Sequence, residues 1–293
     1  MLTPSGVHRT FGRAIVIFTF LLLPQAMDGS EATRPESKGR VVVNAVVREL
    51  RRYGSDSLSM LRAPRHWDQE QWTRAAMAAG AVAAAAAVDE DVADLVQRNR
   101  NDVSEDFSDI VTPFGGRRAL NISGAILVGG LVTRNPKLRD TGRDAIEASI
   151  LAGWIVTPVL KRAVGRMRPF ENEGAFEFDT SSKSRSFPSG HATNAFAVAS
   201  VVAGHSDGWV VPAIAYTLAT GVAGSRMNDD VHFGSDVIAG AAIGTAIGRA
   251  VVARHRPGAA TSKIAIEVMP VRGGVAIQFQ TSSASLLRRL RRH

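Results

Sequence analysis

The stretch RSFPSGHATN, residues 185–194, closes a polar segment and leads directly into the apolar run AFAVAS. Pro188 and Ser189, followed by good helix formers, predict that a helix begins near Gly190 and His191. The first backbone N–H groups of a helix lack intrahelical partners, and the helix dipole favours negative charge beside them. The stretch therefore predicts an anion-binding site with a histidine next to it.

The composition of the chain favours anionic ligands. Of its 293 residues 45% are hydrophobic, and 35 Lys and Arg against 27 Asp and Glu give a net charge of +8. An isoelectric point of about 10.6 suits phosphate esters, acidic lipids or nucleic acids. Aromatic residues make up only 6% and form no ladder with basic residues, which argues against a nucleic-acid partner. The absence of cysteine excludes disulfides, thiolate nucleophiles and cysteine metal sites.

The first 29 residues have the layout of an export signal. His8, Arg9 and Arg13 precede the short apolar run AIVIFTFLLLP at 14–24, and the small and polar residues QAMDGSEA follow it. This pattern predicts a cleaved signal peptide, with an uncleaved amino-terminal anchor as the alternative. In both cases the body of the protein is expected in the periplasm or the cell envelope.

The middle of the chain predicts an all-α fold. A polar helical extension is expected over 30–70, with an amphipathic helix in VVVNAVVRELRRYG, and a bundle of about six core helices over 71–256. Most of the apolar runs are shorter than the roughly 18 residues of a membrane span. Together with a mean hydropathy of +0.01 they favour a soluble or peripheral protein over an integral one. Membrane association stays open, because Ala- and Gly-rich spans score low on hydropathy. The runs are 75–88, 119–133, 148–160, 192–204, 208–225 and 237–248.

The last segment, 257–293, has a different pattern. Apolar and polar residues alternate over 263–280 around Arg272, Gly273 and Gly274, which predicts a small β-hairpin. The final LLRRLRRH is strongly basic. It is interpreted as a solvated tail, with contact to anionic lipid as the alternative.

Three short charged stretches interrupt the apolar helices. In KRAVGRMRP, residues 161–169, Lys161 and Arg168 are seven apart, which is about two helical turns. The second stretch is FPSGHATN, and the third, GSRMNDDVHFGSDVIAG, spans 224–240. In the third, Asp236 follows His232 by four residues, so the two side chains would meet on a helix. Taken singly, each stretch is common as a charged helix end, a cap or a surface hydrogen bond.

Taken together and in this order, the three stretches resemble the signature of the type 2 phosphatidic acid phosphatase (PAP2) superfamily, which also contains acid phosphatases and vanadium haloperoxidases. That signature reads Lys-x6-Arg-Pro, then Pro-Ser-Gly-His, then Ser-Arg-x5-His-x3-Asp. Every position is filled, over roughly residues 140–250. The matching residues are Lys161, Arg168, Pro169, Pro188, Ser189, Gly190, His191, Ser225, Arg226, His232 and Asp236.

The resemblance implies a phosphate site and a role for each residue. His232 would be the nucleophile that forms a phosphohistidine, Asp236 would orient its ring, and His191 would be the general acid and then the general base. Neither a metal nor a cofactor is implied. The groups that would hold the phosphate are Lys161, Arg168, Ser189, Gly190 and Arg226.

The resemblance implies a phosphatase whose partner is a phosphorylated small molecule or a lipid, including isoprenyl pyrophosphates. The alternative is a vanadium-dependent haloperoxidase, in which vanadate occupies the phosphate site. Asp229 and Asp230 lie outside the signature and are interpreted as residues that cap or terminate a helix, with a catalytic part as the alternative. The remaining histidines lack the neighbouring residues that accompany the signature histidines and are assigned no role: His8, His66, His205, His255 and His293.

Overall fold

The computed structural model describes residues 38–181, 185–255, 263–271 and 274–282. The chain divides into two compact units, one of Arg62–Thr261 and one of Met1–Leu61 with Ser262–His293. The predicted export signal and the basic tail lie outside the described residues.

The larger unit is helical, as the sequence predicts. Four of the predicted apolar runs, 119–133, 192–204, 208–225 and 237–248, each coincide with one helix. The α-helices of both units, in chain order, are α1 (Lys38–Arg62), α2 (Gln69–Ala86), α3 (Asp89–Arg98), α4 (Asp102–Val111), α5 (Ala119–Val132), α6 (Pro136–Ile150), α7 (Thr157–Val164), α8 (Gly190–His205), α9 (Val210–Asn228) and α10 (Gly234–His255).

The smaller unit contains α1 up to Leu61 and two strands. The amphipathic helix predicted from VVVNAVVRELRRYG lies within α1. Strands β1 (Lys263–Val271) and β2 (Gly274–Ser282) pair in antiparallel fashion, with Lys263 opposite Ser282. These strands occupy the region where the alternating pattern predicts a hairpin.

Two details of the helix boundaries differ from the sequence-based expectations. The run 148–160 is not one helix, because a π-helical segment, Leu151–Val156, separates α6 from α7. A proline inside the apolar run 208–225 is expected to interrupt a helix, but α9 begins at Val210 and places Pro212 in the first turn, where a backbone N–H has no intrahelical partner.

Sequence patterns did not predict helices α3 and α4. Neither contains a long apolar run. Instead their starts carry the signal, since α3 opens with three consecutive acidic residues from Asp89 and α4 is capped by Asn101, whose side chain accepts the Ser104 N–H.

Helices α8 and α10 pack in parallel at close range through glycines spaced by four residues. A Cβ atom built on Gly240 would lie 2.7 Å from the Ser189 carbonyl oxygen, and one on Gly244 would lie 2.1 Å from that of Thr193. The contacts advance in the same direction along both helices, because Gly248 faces the carbonyl of Ala197 in the same way, at 2.4 Å. Both helices therefore begin at the same end of the bundle.

The carboxyl ends of α8 and α10 are joined by one buried carboxylate. His205, the last residue of α8, lies 2.9 Å from Asp144 through Nε2, and His255, the last residue of α10, lies 2.8 Å from Asp144 through Nδ1. The interpretation that these two histidines have no interacting partner residue was wrong. Their partner comes from α6, far away in sequence, so no local pattern could indicate it.

Among the described residues, α10 is long and apolar enough to cross a bilayer, with 44% of its most apolar window buried. A core helix passes the same test of length and composition, so this finding is weak evidence of a span. The soluble or peripheral state stays a prediction.

Replacing Gly244 with Ala should destabilise the protein. The new methyl group would collide with the Thr193 carbonyl, and separating two packed helices costs about 3 kcal/mol. Urea unfolding monitored by circular dichroism measures the free energy. Gly80→Ala is the matched control, since no atom lies within 4 Å of its Cβ position and helix propensity should make it about 0.5–1 kcal/mol more stable. Equal stability of the two variants would contradict the close packing.

Candidate active site

A cavity of about 770 Å³ opens where α8 begins. Four of the predicted site residues line it: Lys161, Arg168, Gly190 and His191. The other four, Ser189, Arg226, His232 and Asp236, are buried and do not contribute to its lining surface. None of the described residues that line the cavity is acidic.

The spacing between Lys161 and Arg168 does not reflect two helical turns. Helix α7 ends at Val164, and Gly165 adopts the left-handed conformation at φ 68°. A Cβ on Gly165 would lie 2.7 Å from the backbone nitrogen of Thr180, so only glycine fits this turn. Arg168 is therefore extended when it reaches the cavity, and Pro169 opens a separate 3₁₀ turn, Pro169–Glu171, instead of ending the helix.

Lys161 holds the backbone that precedes α8. Its ammonium group donates to the carbonyl oxygens of Arg185 and Ser186, at 2.6 and 2.8 Å. Burial, followed by the positive charge of Arg168, lowers the pKa of Lys161 to about 8. This lysine thus shapes the approach to the helix start and stays charged at neutral pH.

His191 lies in the first turn of α8, against a glycine turn. A Cβ on Gly116 would be 2.7 Å from His191 Nε2, and Asn194 fixes this turn by donating to the Gly116 carbonyl at 2.8 Å. Burial, followed by the charge of Arg226, lowers the pKa of His191 to about 4. Both His191 and the asparagine that fixes its neighbouring turn come from the stretch RSFPSGHATN.

His232 and Asp236 meet at the start of α10. His232 precedes the helix, and its Nδ1 lies 3.5 Å from Oδ2 of Asp236, which also accepts the Phe233 N–H at 2.9 Å. Their contact thus depends on the helix start and not on an i, i+4 pair within a helix. Burial, opposed in part by the interaction with the Asp236 carboxylate, lowers the pKa of His232 to about 4.

The pKa of Asp236 is lowered although its carboxylate is buried. Burial alone would raise this pKa, but the interaction with His232 and the positive charge of Arg166 outweigh burial. The backbone carbonyl of Asp236 accepts the Ser189 N–H at 3.0 Å, which joins the first turns of α8 and α10.

A family model described as PAP2 superfamily matches residues 145–257, and all eight predicted site residues lie within this segment. This segment is similar to the PAP2 superfamily. Two curated relatives, from two strains of Mycobacterium tuberculosis, are both named decaprenylphosphoryl-5-phosphoribose phosphatase. Each is 38% identical over 101 residues, which is 34% of this chain and 54% of the relative. The chain thus spans about half the length of the curated relatives it matches.

Two solved structures are similar to this chain. LpxE from Aquifex aeolicus has 23% identity and a TM-score of 0.45, over 56% of this chain and 94% of that protein. The first transmembrane PAP2 type phosphatidylglycerolphosphate phosphatase from Bacillus subtilis has 22% identity and a TM-score of 0.47, over 70% and 92%.

Arg226 forms an ion pair with a carboxylate that does not line the cavity. Its Nη1 donates to Asp229 Oδ2 at 2.7 Å and to Thr112 Oγ1 at 3.1 Å. Burial lowers the pKa of Arg226, and the Asp229 carboxylate opposes this shift. Asp229 thus caps the end of α9, as the sequence predicts, and in addition fixes the arginine three residues before it.

The sequence patterns assign no role to Arg166, although it lies inside KRAVGRMRP. Its buried guanidinium donates to Asp236 Oδ1 at 3.0 Å, to Ser235 Oγ at 2.6 Å and to Asp89 Oδ2 at 2.8 Å. It also stacks over the Phe233 ring at 4.3 Å. Asp89 lies outside the PAP2 segment and carries no motif, so the pair could not be predicted from spacing.

Replacing Arg166 with Met should destabilise the protein by about 3–5 kcal/mol, because Asp89 and Asp236 would remain buried without their cation. Urea unfolding gives the free energy. The matched control is Arg139→Met, which removes a half-exposed pair with Asp140 and should cost about 0–1 kcal/mol.

Arg166→Lys extends this test in case the Met variant does not fold. It keeps the charge but cannot reach two carboxylates with a planar fork, so its stability should lie between the other two. If Arg166→Met were as stable as Arg139→Met, the buried bridge would have no structural role.

Proposed function

We propose that this chain is a PAP2-type phosphatase of the cell envelope that hydrolyses a phosphate monoester, preferably of a lipid, through a phosphohistidine. The observation that carries the proposal is a cavity that His191 and several cations line without any acidic side chain, with the buried His232 near enough for the charges of Lys161 and Arg168 to act on it. A cavity of this charge favours a dianionic phosphoryl group, and the family match supports the reaction class.

The phosphoryl group would be held by Lys161, Arg168 and Arg226 together with the start of α8. Arginine offers a planar pair of donors that matches phosphate oxygens. The first backbone N–H groups of α8 and the Ser189 hydroxyl add neutral donors, and the dipole of α8 favours negative charge. These groups would stabilise the charge that builds on the equatorial oxygens as phosphorus is attacked.

His232 would attack through Nε2. Its Nδ1 faces the Asp236 carboxylate, so the neutral ring carries its proton there and leaves the Nε2 lone pair for phosphorus. The lowered pKa of His232 keeps the ring neutral at physiological pH. The attack forms a P–N bond and breaks the bond to the leaving oxygen.

His191 would transfer a proton in both steps of the reaction. It donates a proton to the leaving oxygen in the first step and becomes neutral. In the second step the same ring accepts a proton from a water molecule that attacks phosphorus, and the P–N bond breaks to release phosphate and restore neutral His232.

An exposed apolar face supports a lipid substrate. On α4, Val103, Phe107 and Ile110 follow each other at helical spacing and are exposed at 78%, 51% and 68%. The 3₁₀ turn Thr112–Phe114 follows, and Gly115 then lines the cavity. A substrate with an apolar chain could therefore lie along α4 while its phosphate enters the site. The names of the curated relatives, which specify a decaprenyl-linked phosphoribose, support the same class.

The pKa of Lys161 predicts how substrate affinity depends on pH. Lys161 is protonated below about pH 8 and loses its charge above it, so the KM for a phosphate dianion should rise as the pH passes 8. Steady-state kinetics on a nitrophenyl phosphate between pH 6 and 10 measure this. Lys161→Arg keeps its charge throughout this range and should move the rise to higher pH. A rise at the same pH in both proteins would contradict the assignment.

Replacing His232 and replacing His191 should impair different steps of the reaction. His232→Ala cannot form a phosphoenzyme with any substrate. His191→Ala should be severely slowed on an alkyl phosphate, whose alkoxide leaves poorly. It should react with a nitrophenyl ester, whose phenolate needs no proton, and then accumulate a phosphohistidine because water activation is lost.

Acid quench after mixing with labelled substrate measures the phosphoenzyme, and alkaline stability identifies phosphohistidine. A phosphoenzyme that persists in His232→Ala and disappears in His191→Ala would reverse the two roles. Phosphate release without added vanadate separates the phosphatase from the haloperoxidase alternative.

A further inference from the structure

The carboxylate of Asp236 is oriented by a neighbour that the predicted phosphate site does not include. Arg166 Nη1 donates to its Oδ1 at 3.0 Å, and the Phe233 N–H donates to its Oδ2 at 2.9 Å. Oδ2 is also the oxygen that lies 3.5 Å from Nδ1 of His232. Because both oxygens are held, the direction in which Asp236 faces the proposed nucleophile depends on Arg166.

Asp89 and Ser235 hold Arg166 in turn. Asp89 accepts the Arg166 Nη2 donor at 2.8 Å through Oδ2 and the Ser235 N–H at 2.9 Å through Oδ1. The Ser235 hydroxyl accepts from Arg166 Nη1 at 2.6 Å and donates to Asp89. The remaining guanidinium nitrogen, Nε, donates to the Ala175 carbonyl at 2.8 Å. Every nitrogen of this buried guanidinium therefore has an acceptor, which fixes its plane.

The ionisation state of Asp236 determines which nitrogen of His232 carries the proton. An ionised carboxylate only accepts, so it favours the proton on Nδ1 and leaves the Nε2 lone pair free for phosphorus. A protonated carboxyl group would donate to Nδ1 and force the ring proton onto Nε2, which could then not attack. Burial would raise the pKa of Asp236, and the interaction with His232 and the charge of Arg166 outweigh burial. Removing Arg166 would therefore favour the tautomer that cannot react.

We infer that Arg166 and Asp89 are positioning residues for the nucleophile: Arg166 orients Asp236 so that His232 keeps its proton on Nδ1, and Asp89 fixes Arg166. Asp89 begins α3, outside the segment 145–257 that the family model matches. The reactive form of His232 thus depends on a helix that the family match does not include. The kinetic part of the inference rests on the proposed function, since the tautomer limits the rate only if His232 attacks phosphorus.

The tautomer of His232 can be measured without any reaction. Nitrogen-15 NMR of the full chain with labelled histidine distinguishes the two neutral tautomers at neutral pH, and the signals lost in His232→Gln identify the residue. Wild type should show the Nδ1–H form. Arg166→Met combined with Asp89→Asn should show the Nε2–H form. This double variant should be more stable than Arg166→Met alone, since one buried carboxylate instead of two loses its cation.

The same double variant should react slowly with a nitrophenyl phosphate. Its kcat should fall about 100-fold or more because the wrong tautomer blocks attack, whereas KM should stay within about twofold because the cations that line the cavity are unchanged. Arg166→Lys is the second variant in case the double variant does not fold. One ammonium group cannot bridge two carboxylates, so both tautomers should be populated and kcat should fall about tenfold. Arg139→Met, on a half-exposed surface pair, is the control and should match wild type in both measurements.

Two results would overturn the inference: the wild-type tautomer in the double variant and in Arg166→Lys, or a changed tautomer with an unchanged kcat. If wild type hydrolyses no phosphate ester but the tautomer changes in these variants, Arg166 and Asp89 still position His232 and the proposed phosphatase fails.

Discussion

The parallel packing of α8 on α10 is the constraint on which the site depends. Glycines at 240, 244 and 248 remove the side chains that would separate the helices, so α10 lies directly on the backbone of α8. The Ser189 N–H donates to the Asp236 carbonyl and joins the two first turns. Two positive helix ends therefore meet at one place, which neighbouring helices avoid unless a negative ligand or side chain compensates them. Asp236 compensates from the protein side, and an anion can do so from the cavity.

Cations line the cavity, and the carboxylates described at this site lie behind its wall. The carboxylates near the site lie on the protein side, where Asp236 and Asp89 hold Arg166 and where Asp229 holds Arg226. The described residues that line the cavity include several cations and no carboxylate. Asp89, Asp229 and Asp236 thus fix Arg166 and Arg226 in place, and none of these three carboxylates lies on the surface that lines the cavity. Such pre-orientation matters because guanidinium groups that are already ordered lose less entropy when an anion binds.

Sequence patterns could predict eight candidate site residues but not the reasons for their spacing. The start of α8 followed from Pro188 and Ser189, because capping is a local property. The seven-residue interval before Arg168 suggested helical turns, yet Gly165 ends α7 and the chain reaches the cavity in an extended form. Arg166 looked like one more basic residue, because its partner Asp89 is 77 positions away. Long-range pairs of this kind leave no periodic signal.

The lowered pKa of His191 agrees with a role as acid once substrate binding is included in the proposed mechanism. Burial and then the charge of Arg226 lower this pKa to about 4, so the ring is neutral in the unliganded site at neutral pH. A phosphate dianion would offset the neighbouring cations, and with less positive charge around it the imidazolium form becomes more favourable. In the proposed mechanism its pKa would therefore rise when the substrate binds. Burial, together with the cations that would recruit the phosphate, would keep His191 unprotonated until the phosphate arrives, which would couple proton uptake by the ring to occupation of the site.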